Sequence, residues 1–164
     1  MNYTIIISVY NEYESIPLLL KELYKYSKEN QIIIINDGSS DKSFELLNKC
    51  TFIDYLQNNK NSGKGYSIKK GLYSAKNSKI IIFDGDLELF TPDISKLMIL
   101  NKQENIYSVI GHRFKSLNAK ISSFDYGNFI FTYFFNLMNG SCFKDVLCCA
   151  KSFYKEDIKV KNLK

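Results

Sequence analysis

Two acidic clusters, each following a run of strand-forming residues, are the part of this sequence best suited to chemistry. Residues 31–36 lead into residues 37–41 (DGSSD), and residues 79–83 lead into residues 84–86 (DGD). A parallel sheet forms its ligand site at the carboxyl ends of its strands. Carboxylates contribute little to packing there but are good ligands for metals and hydroxyl groups. The pattern therefore predicts one polar site at a single sheet edge.

The second cluster has the spacing of a divalent metal site. Asp84 and Asp86 are two residues apart where a strand ends, so their side chains project to the same side of an extended backbone. The two carboxylates can converge on one cation, and Glu88 could add a third oxygen. Mg²⁺ and Mn²⁺ prefer oxygen ligands and often bridge carboxylates to a diphosphate. The alternative is that Asp-Gly simply forms a turn here.

Further polar side chains are expected at the same edge. Asp37 could accept hydrogen bonds from a ribose hydroxyl or a base N–H, whereas Asp41 is better interpreted as a helix cap. The first predicted strand ends at residues 9–12, where Tyr10 offers a ring face to a base and Glu12 offers another acceptor. Acids at three strand ends favour a ligand site more strongly than any one of them alone.

Several familiar chemistries are disfavoured. Residues 61–65 (NSGKG) lack the spacing of a Walker phosphate loop, although Lys64 at a helix start could still face an anion. His112 is the only histidine, so no Ser–His–Asp or Cys–His arrangement can be argued. The four cysteines form no C-x-x-C pair, which disfavours a structural zinc site or a disulfide framework.

Composition indicates an ordinary globular chain. Its 164 residues favour a single domain, and 45% hydrophobic with 24% charged residues is typical of folded proteins. A net charge of +5 suits an anionic partner such as a phosphate, a nucleotide or an acidic membrane surface. No nucleic-acid motif is recognisable. No stretch reaches the ~18 apolar residues of a membrane span, and reduced thiols fit a cytoplasmic protein.

Hydrophobic patterning predicts strands that alternate with helices. Strands are expected at residues 4–9, 31–36, 52–56, 79–83 and 106–110. Helices are expected from near Ser15, at residues 41–47 and 64–75, from Thr91, and at residues 122–138. This alternation predicts an α/β fold with a largely parallel sheet. The segment after residue 138 is too irregular to assign.

Six segments in this order resemble the motifs of family 2 glycosyltransferases of the GT-A fold, in particular polyprenyl-phosphate sugar synthases such as dolichyl-phosphate mannosyltransferase. They are residues 8–12 for P-V-Y-N-E, 36–41 for D-D-G-S-x-D, 61–65 for N-x-G-K-G, 84–88 for D-A-D-L-Q, 111–114 for G-S-R-[FY] and 145–151 for D-x-x-[STC]-G-[FM]-K. The resemblance implies a Rossmann-like three-layer sandwich with a mainly parallel central sheet. It also implies one catalytic domain over residues 1–164, which is short at its C-terminus relative to the family.

The resemblance also implies roles for particular residues. The residues that would hold the nucleotide are Ser8, Tyr10, Glu12, Ile35, Asp37, Asp84 and Gly85. Those that would hold Mg²⁺ or Mn²⁺ are Asp84, Asp86 and Glu88. The catalytic set would be Asp86, Arg113 and Lys151, with the two cations facing the donor diphosphate or the acceptor phosphate. Cys149 departs from the family by replacing a glycine near Lys151, and the turn there is expected to be distorted.

The activity implied is inverting transfer of a sugar from a UDP- or GDP-linked donor to a polyprenyl phosphate. The protein would then lie in the cytoplasm, at the membrane face or beside a membrane-spanning partner. The aromatic residues 129–135 would be either the membrane-proximal part or a buried helix. Two alternatives stay open. One is a soluble or glycan acceptor, which needs a general base such as Asp145 or Glu88. The other is a truncated, inactive domain that binds a nucleotide or a partner chain.

Overall fold

The chain folds around one six-stranded sheet with the strand order β3-β2-β1-β4-β6-β5. A computed structural model describes residues 2–87, 91–112 and 123–158. The strands are β1 (Tyr3–Val9), β2 (Gln31–Asn36), β3 (Asp54–Gln57), β4 (Lys79–Asp84), β5 (Ser108–Ile110) and β6 (Lys151–Tyr154). The helices are α1 (Ile16–Leu23), α2 (Ser43–Asn48), α3 (Lys64–Ser74), α4 (Ile94–Leu97) and α5 (Ser123–Asn139). Short 3₁₀ turns cover Tyr24–Tyr26, Thr91–Asp93, Lys102–Glu104 and Lys155–Asp157.

The centre of the sheet is parallel, and it is buried on both faces. β1 pairs in parallel with β2 on one side and with β4 on the other. Strands covered on both faces are expected to be continuously apolar rather than alternating. The isoleucine runs of β1 and β2 fit that rule, since Ile5, Ile6 and Ile7 are all fully buried. The predicted α/β class with a mainly parallel sheet is confirmed.

Helices cover both faces of the sheet, which gives the expected three layers. On one face, α1, α2 and α4 contribute residues such as Leu19, Leu47 and Ile94 to the larger hydrophobic cluster, which also contains residues of β1, β2 and β4. On the other face, Leu72 of α3 packs in a smaller cluster with Ile6 and neighbouring strand residues. These two clusters hold the strands, and therefore the strand ends, in fixed positions.

The strand β6 was not assigned from the sequence, and it breaks the parallel pattern. It lies antiparallel between β4 and β5. Its four residues alternate between half-buried and buried, which is too short a pattern to distinguish from a loop. β5 is also shorter than predicted, because Ile106 forms an isolated bridge with Asn101 instead of joining the sheet. β3 starts at Asp54 rather than at residue 52, because Phe52 packs edge-on against Tyr24 before the strand begins.

α5 leaves most of its apolar side chains exposed. From residue 126 to the end of this helix, eight large hydrophobic residues are solvent-exposed: Tyr126, Phe129, Ile130, Phe131, Tyr133, Phe134, Leu137 and Met138. Polar contacts attach the opposite side to the segment that follows. Thr132 Oγ1 accepts from the Val146 amide at 3.3 Å, and Asn136 Nδ2 donates to the Phe143 carbonyl at 2.8 Å. The buried-helix interpretation is therefore wrong for this chain. Among the described residues, no helix is long and apolar enough to cross a bilayer.

Candidate functional site

The predicted site residues meet at the carboxyl edge of the sheet. Ser8 on β1 is in register with Ile35 on β2 and with Asp84 on β4. Lys151 is the first residue of β6 and pairs with Ile82 of β4. Because β6 is antiparallel, its first residue lies at the edge where the parallel strands end. The sheet therefore brings together residues from four separate strands.

Asp37 fastens the loop before α3 to the end of β2. Its Oδ1 accepts from Asn58 Nδ2 at 2.7 Å and from the Ser62 amide at 3.0 Å, and its Oδ2 accepts from the Gly63 amide at 2.8 Å. Only 4% of Asp37 is exposed. Burial raises the pKa of this carboxyl, but the hydrogen bonds outweigh burial and the pKa lies below its ordinary value. Asp37 is therefore an ionised anchor for the loop.

Two neighbours complete this anchor, Asn58 and Gly38. Asn58 is buried and also donates to Ser67 Oγ at 2.9 Å, so it joins the end of β3 to α3. A polar amide directly after a strand was the available sequence signal for Asn58. Gly38 has a φ of +70°, and a β-carbon there would lie 2.3 Å from the Lys60 carbonyl carbon. Only glycine permits this approach of the two loops.

The anchored loop leads into Lys64, which forms an ion pair with Asp84. Lys64 is the first residue of α3 and follows Gly63, whose φ is +87°. The side chains are 45% exposed for Lys64 and 21% exposed for Asp84. The anion that Lys64 faces is thus a carboxylate of this same chain. This contact joins the NSGKG and DGD motifs directly.

Cys149 also contacts Asp84. Its thiol donates a hydrogen bond to the Asp84 carboxylate. Burial, followed by the hydrogen bond and the negative charge of Asp84, raises the pKa of Cys149 to about 12. The segment it belongs to lies against the end of β5, where the Gly111 amide donates to the Ala150 carbonyl at 2.8 Å. The residue that departs from the family pattern therefore lies within the site itself.

The chemistry of the donors fits a hard divalent cation. Asp86 is exposed, and Asp84 ends β4 two residues before it. A β-carbon on Gly85 would lie 2.5 Å from Val9 Cγ1, so this strand end can pack against β1 only with glycine at that position. Within residues 2–87, 91–112 and 123–158, no three His, Cys, Asp or Glu side chains cluster as a metal site. Two carboxylates would thus need oxygens from a ligand or water, as is usual for Mg²⁺.

The remaining predicted residues differ in their surroundings. Tyr10 is 45% exposed at the end of β1, while Glu12 accepts from Ser15 Oγ at 2.8 Å. Asp41 accepts from the amides of Ser43 and Tyr13. It lies one residue before the N-cap of α2, which is Lys42, so the predicted cap is displaced by one position. Two further predictions, Glu88 and Arg113, lie outside the described residues.

Two groups that could act in acid–base chemistry are also defined. Asp145 is buried, and its Oδ1 accepts from the Leu147 amide at 3.2 Å within a tight turn. His112 is exposed just after β5.

Lys151 is half-buried, and its Nζ lies 3.4 Å from the Val146 carbonyl oxygen. Among the described residues, the edge is thus lined by cations and carboxylates, with Asp145 turned into the protein.

Comparison with known proteins identifies the family. A model of glycosyl transferase family 2 matches residues 4–153, so the chain belongs to this family. The GT-A expectation is confirmed by the fold of solved glycosyltransferases. Glucosyl-3-phosphoglycerate synthase from Mycobacterium tuberculosis, solved with Mn²⁺, UDP and phosphoglyceric acid, superposes with a TM-score of 0.74. The identity is 13%, over 94% of this chain and 56% of that chain.

Curated relatives carry more specific names. The undecaprenyl-phosphate 4-deoxy-4-formamido-L-arabinose transferase of Pectobacterium atrosepticum is 33% identical over 135 residues, which is 74% of this chain and 41% of that protein. The human dolichyl-phosphate beta-glucosyltransferase is 27% identical over 109 residues, 57% of this chain and 34% of that protein. The chain thus spans about two fifths of the first relative's length and one third of the second's.

Proposed function

We propose that this chain is a glycosyltransferase domain that moves a sugar from a UDP- or GDP-linked donor to a polyprenyl phosphate. One observation carries the proposal. The strand register and the loop anchor bring the acidic, Gly-Lys-Gly and Lys151 segments, which are far apart in sequence, to one edge of the sheet. The names of the relatives, two of which act on polyprenyl phosphates, support the choice of acceptor.

The nucleotide would lie across the ends of β1 and β2. The exposed ring of Tyr10 would stack on the base, and Glu12 would accept a hydrogen bond from the nucleotide. The backbone at Ser8, Ile35 and Gly85 would line the cleft. Asp37 would contribute indirectly and not as a nucleotide ligand, because its oxygens already accept hydrogen bonds from the amides of the neighbouring loop. Its contribution would then be to position the loop that faces the ligand.

Asp84 and Asp86 would hold Mg²⁺ or Mn²⁺, with Glu88 as a third ligand. The ion would act as a Lewis acid that neutralises charge on the departing nucleoside diphosphate. Through the ion, Asp84 and Asp86 would position the diphosphate at the end of β4, next to Ser8 of β1, which pairs with Asp84. The Mn²⁺ and UDP in the solved glucosyl-3-phosphoglycerate synthase are consistent with this arrangement.

A phosphate acceptor suits the residues available. It is already ionised near neutral pH, so it needs no strong general base, and the buried Asp145 is poorly placed to be one. Two anionic substrates instead need cations to bring them together. Lys151 at the start of β6 and Arg113 after β5 would supply them. A single displacement between the two substrates would invert the anomeric centre.

The acceptor would reach the site from a membrane surface. α5 presents exposed aromatic and aliphatic side chains, and the net charge of +5 favours an anionic leaflet. An amphipathic helix of this kind can lie in the interface without crossing it. The proposed location is the cytoplasmic membrane face, where a membrane-spanning partner could also contribute.

The test is sugar transfer by the purified chain. A panel of UDP- and GDP-sugars is supplied with polyprenyl phosphate, Mn²⁺ and detergent, and organic extraction separates lipid-linked sugar. A metal-dependent lipid-phosphate sugar is expected with one donor, and none is expected from the Asp86→Asn variant. Transfer to a soluble glycan instead would overturn the proposed acceptor. No product with any donor, from folded protein, would favour the inactive binding domain.

A further inference from the structure

The ion pair between Lys64 and Asp84 occupies the carboxylate that a divalent cation would need. Lys64 begins α3, and the first turn of that helix contains no acidic residue. A positive charge at a helix N-terminus is unfavourable, because the macrodipole is positive there. The ammonium is therefore stabilised by Asp84 across the cleft. Cys149 donates its thiol hydrogen to the same carboxylate but carries no charge in that form.

The two ends of this contact differ in mobility. Asp84 belongs to β4, and the backbone at the start of α3 is fixed by the hydrogen bonds from the Ser62 and Gly63 amides to Asp37. The ammonium itself is carried by a flexible four-carbon chain. Solvent reaches both side chains, at 45% exposure for Lys64 and 21% for Asp84. The ammonium can thus leave Asp84 without any movement of the backbone.

We propose that Lys64 is an intramolecular counter-ion that competes with the divalent cation for Asp84. The inference rests on the proposed function in that the cation and a nucleoside diphosphate meet at Asp84 and Asp86. When the cation binds Asp84, the ammonium is displaced and pairs with an anionic diphosphate oxygen at the start of α3. The cation then binds weakly alone and more strongly with the nucleotide, because the nucleotide gives the displaced charge a partner.

The first measurement is calorimetric titration of Mn²⁺ into the full chain without nucleotide. Lys64→Gln removes the competing charge, and Mn²⁺ should bind about fivefold more tightly, the scale of ~1 kcal/mol for a partly exposed ion pair. Lys64→Arg keeps the charge and should bind Mn²⁺ as the unaltered protein does. Lys60→Gln removes one exposed charge from the same loop and serves as the matched control. In an Asp84→Asn background, Lys64→Gln should have no further effect.

The second measurement is binding of UDP and GDP at saturating Mn²⁺, where Lys64→Gln should weaken affinity because the displaced ammonium no longer pairs with the diphosphate. Opposite signs for metal and nucleotide separate a counter-ion from a residue that only supports the fold, whose loss would weaken both. If the unaltered protein binds Mn²⁺ and Lys64→Gln binds it equally or more weakly, this inference is overturned and the proposed function is not. Absence of Mn²⁺ binding in every form, with or without nucleotide, overturns the metal assignment in the proposed function as well.

Discussion

Both oxygens of the Asp37 carboxylate accept hydrogen bonds from a loop that lies 21 to 26 residues further along the chain. The sequence indicated that Asp37 was important, because an acid after a buried strand is unusual. Its partners could not be predicted, since they include two backbone amides of a loop with no regular structure. Asp84 and Asp86 were selected by their spacing, which predicts a shared ligand, and that role stays a prediction.

Asp37→Asn should lower the free energy of unfolding by ~1–3 kcal/mol near neutral pH, because the amide NH₂ cannot accept from the loop amides. The depressed pKa of Asp37 implies stability that is present above the unfolded pKa of ~3.9. That stability is lost as the pH falls through the folded value. The difference between the two proteins should therefore shrink below about pH 4, which urea unfolding at several pH values can measure.

The matched control is Asp93→Asn, which alters an exposed carboxylate paired with Lys96. It should change the free energy of unfolding by less than ~0.5 kcal/mol at any pH. An equal stability loss in the two variants would contradict the anchoring role of Asp37.

Cys149 should be unreactive despite its place in the site. With a pKa of about 12, it is almost entirely a thiol near neutral pH, and only the thiolate is nucleophilic. The exposed Cys142 should be alkylated at least ~10-fold faster at about pH 8. Mass spectrometry of peptides after timed iodoacetamide treatment measures both rates. Faster labelling of Cys149 would contradict the burial and the hydrogen bond to Asp84.

Among the secondary-structure elements, the long, uniformly apolar strands were the ones predicted most accurately from the sequence. The ends of β1 and β2 were predicted within one residue, because β-branched runs bounded by polar residues leave little choice. β6 could not be predicted, because its position between β4 and β5 depends on pairing with strands far away in sequence. Lys151 was therefore predicted as a site residue from its motif, although the strand that contains it was not predicted.

The contact of α3 with the sheet depends on Gly71. A β-carbon there would lie 2.6 Å from Ile6 Cγ2, a methyl group held on the β-carbon of a buried strand residue. Gly71→Ala should push α3 away from the sheet and lower the free energy of unfolding by ~1–2 kcal/mol, despite the better helix propensity of alanine. Thermal or urea unfolding measures the change.

Gly65→Ala is the control within the same helix, because nothing lies within 4 Å of the position its β-carbon would take. There the propensity term acts alone and should stabilise the protein by up to ~1 kcal/mol. A similar stabilisation by Gly71→Ala would contradict the close approach of α3 to β1.

At the scale of the whole molecule, α5 was predicted as a helix within one residue of its bounds, but its exposure and the structure of the segment that follows it could not be predicted. A run rich in phenylalanine fits a buried helix and an interfacial helix equally well from sequence alone. The structure decides against burial within this chain, because most of the apolar side chains described for α5 are exposed. Thr132, Phe135 and Asn136 contact the segment after the helix, whereas the other aromatic side chains described for α5 are exposed.

The membrane proposal predicts that the chain co-sediments with vesicles containing anionic lipid. Phe134→Glu should reduce the bound fraction several-fold, because it places a charge on the exposed apolar side of α5. Tyr73→Glu, at an exposed aromatic residue of α3, is the matched control and should reduce binding less. An equal reduction by both variants would indicate simple charge attraction rather than insertion of α5.

Calorimetric binding of UDP and GDP, in Mn²⁺ and in EDTA, is the most direct test of a metal-assisted donor site. One nucleotide should bind about tenfold or more tightly in Mn²⁺ than in EDTA, and Asp86→Asn should remove this gain. Asp93→Asn controls for loss of an exposed carboxylate and should keep the gain. Nucleotide binding that is equal in Mn²⁺ and EDTA, or unchanged in Asp86→Asn, would contradict a metal-assisted donor site at the end of β4.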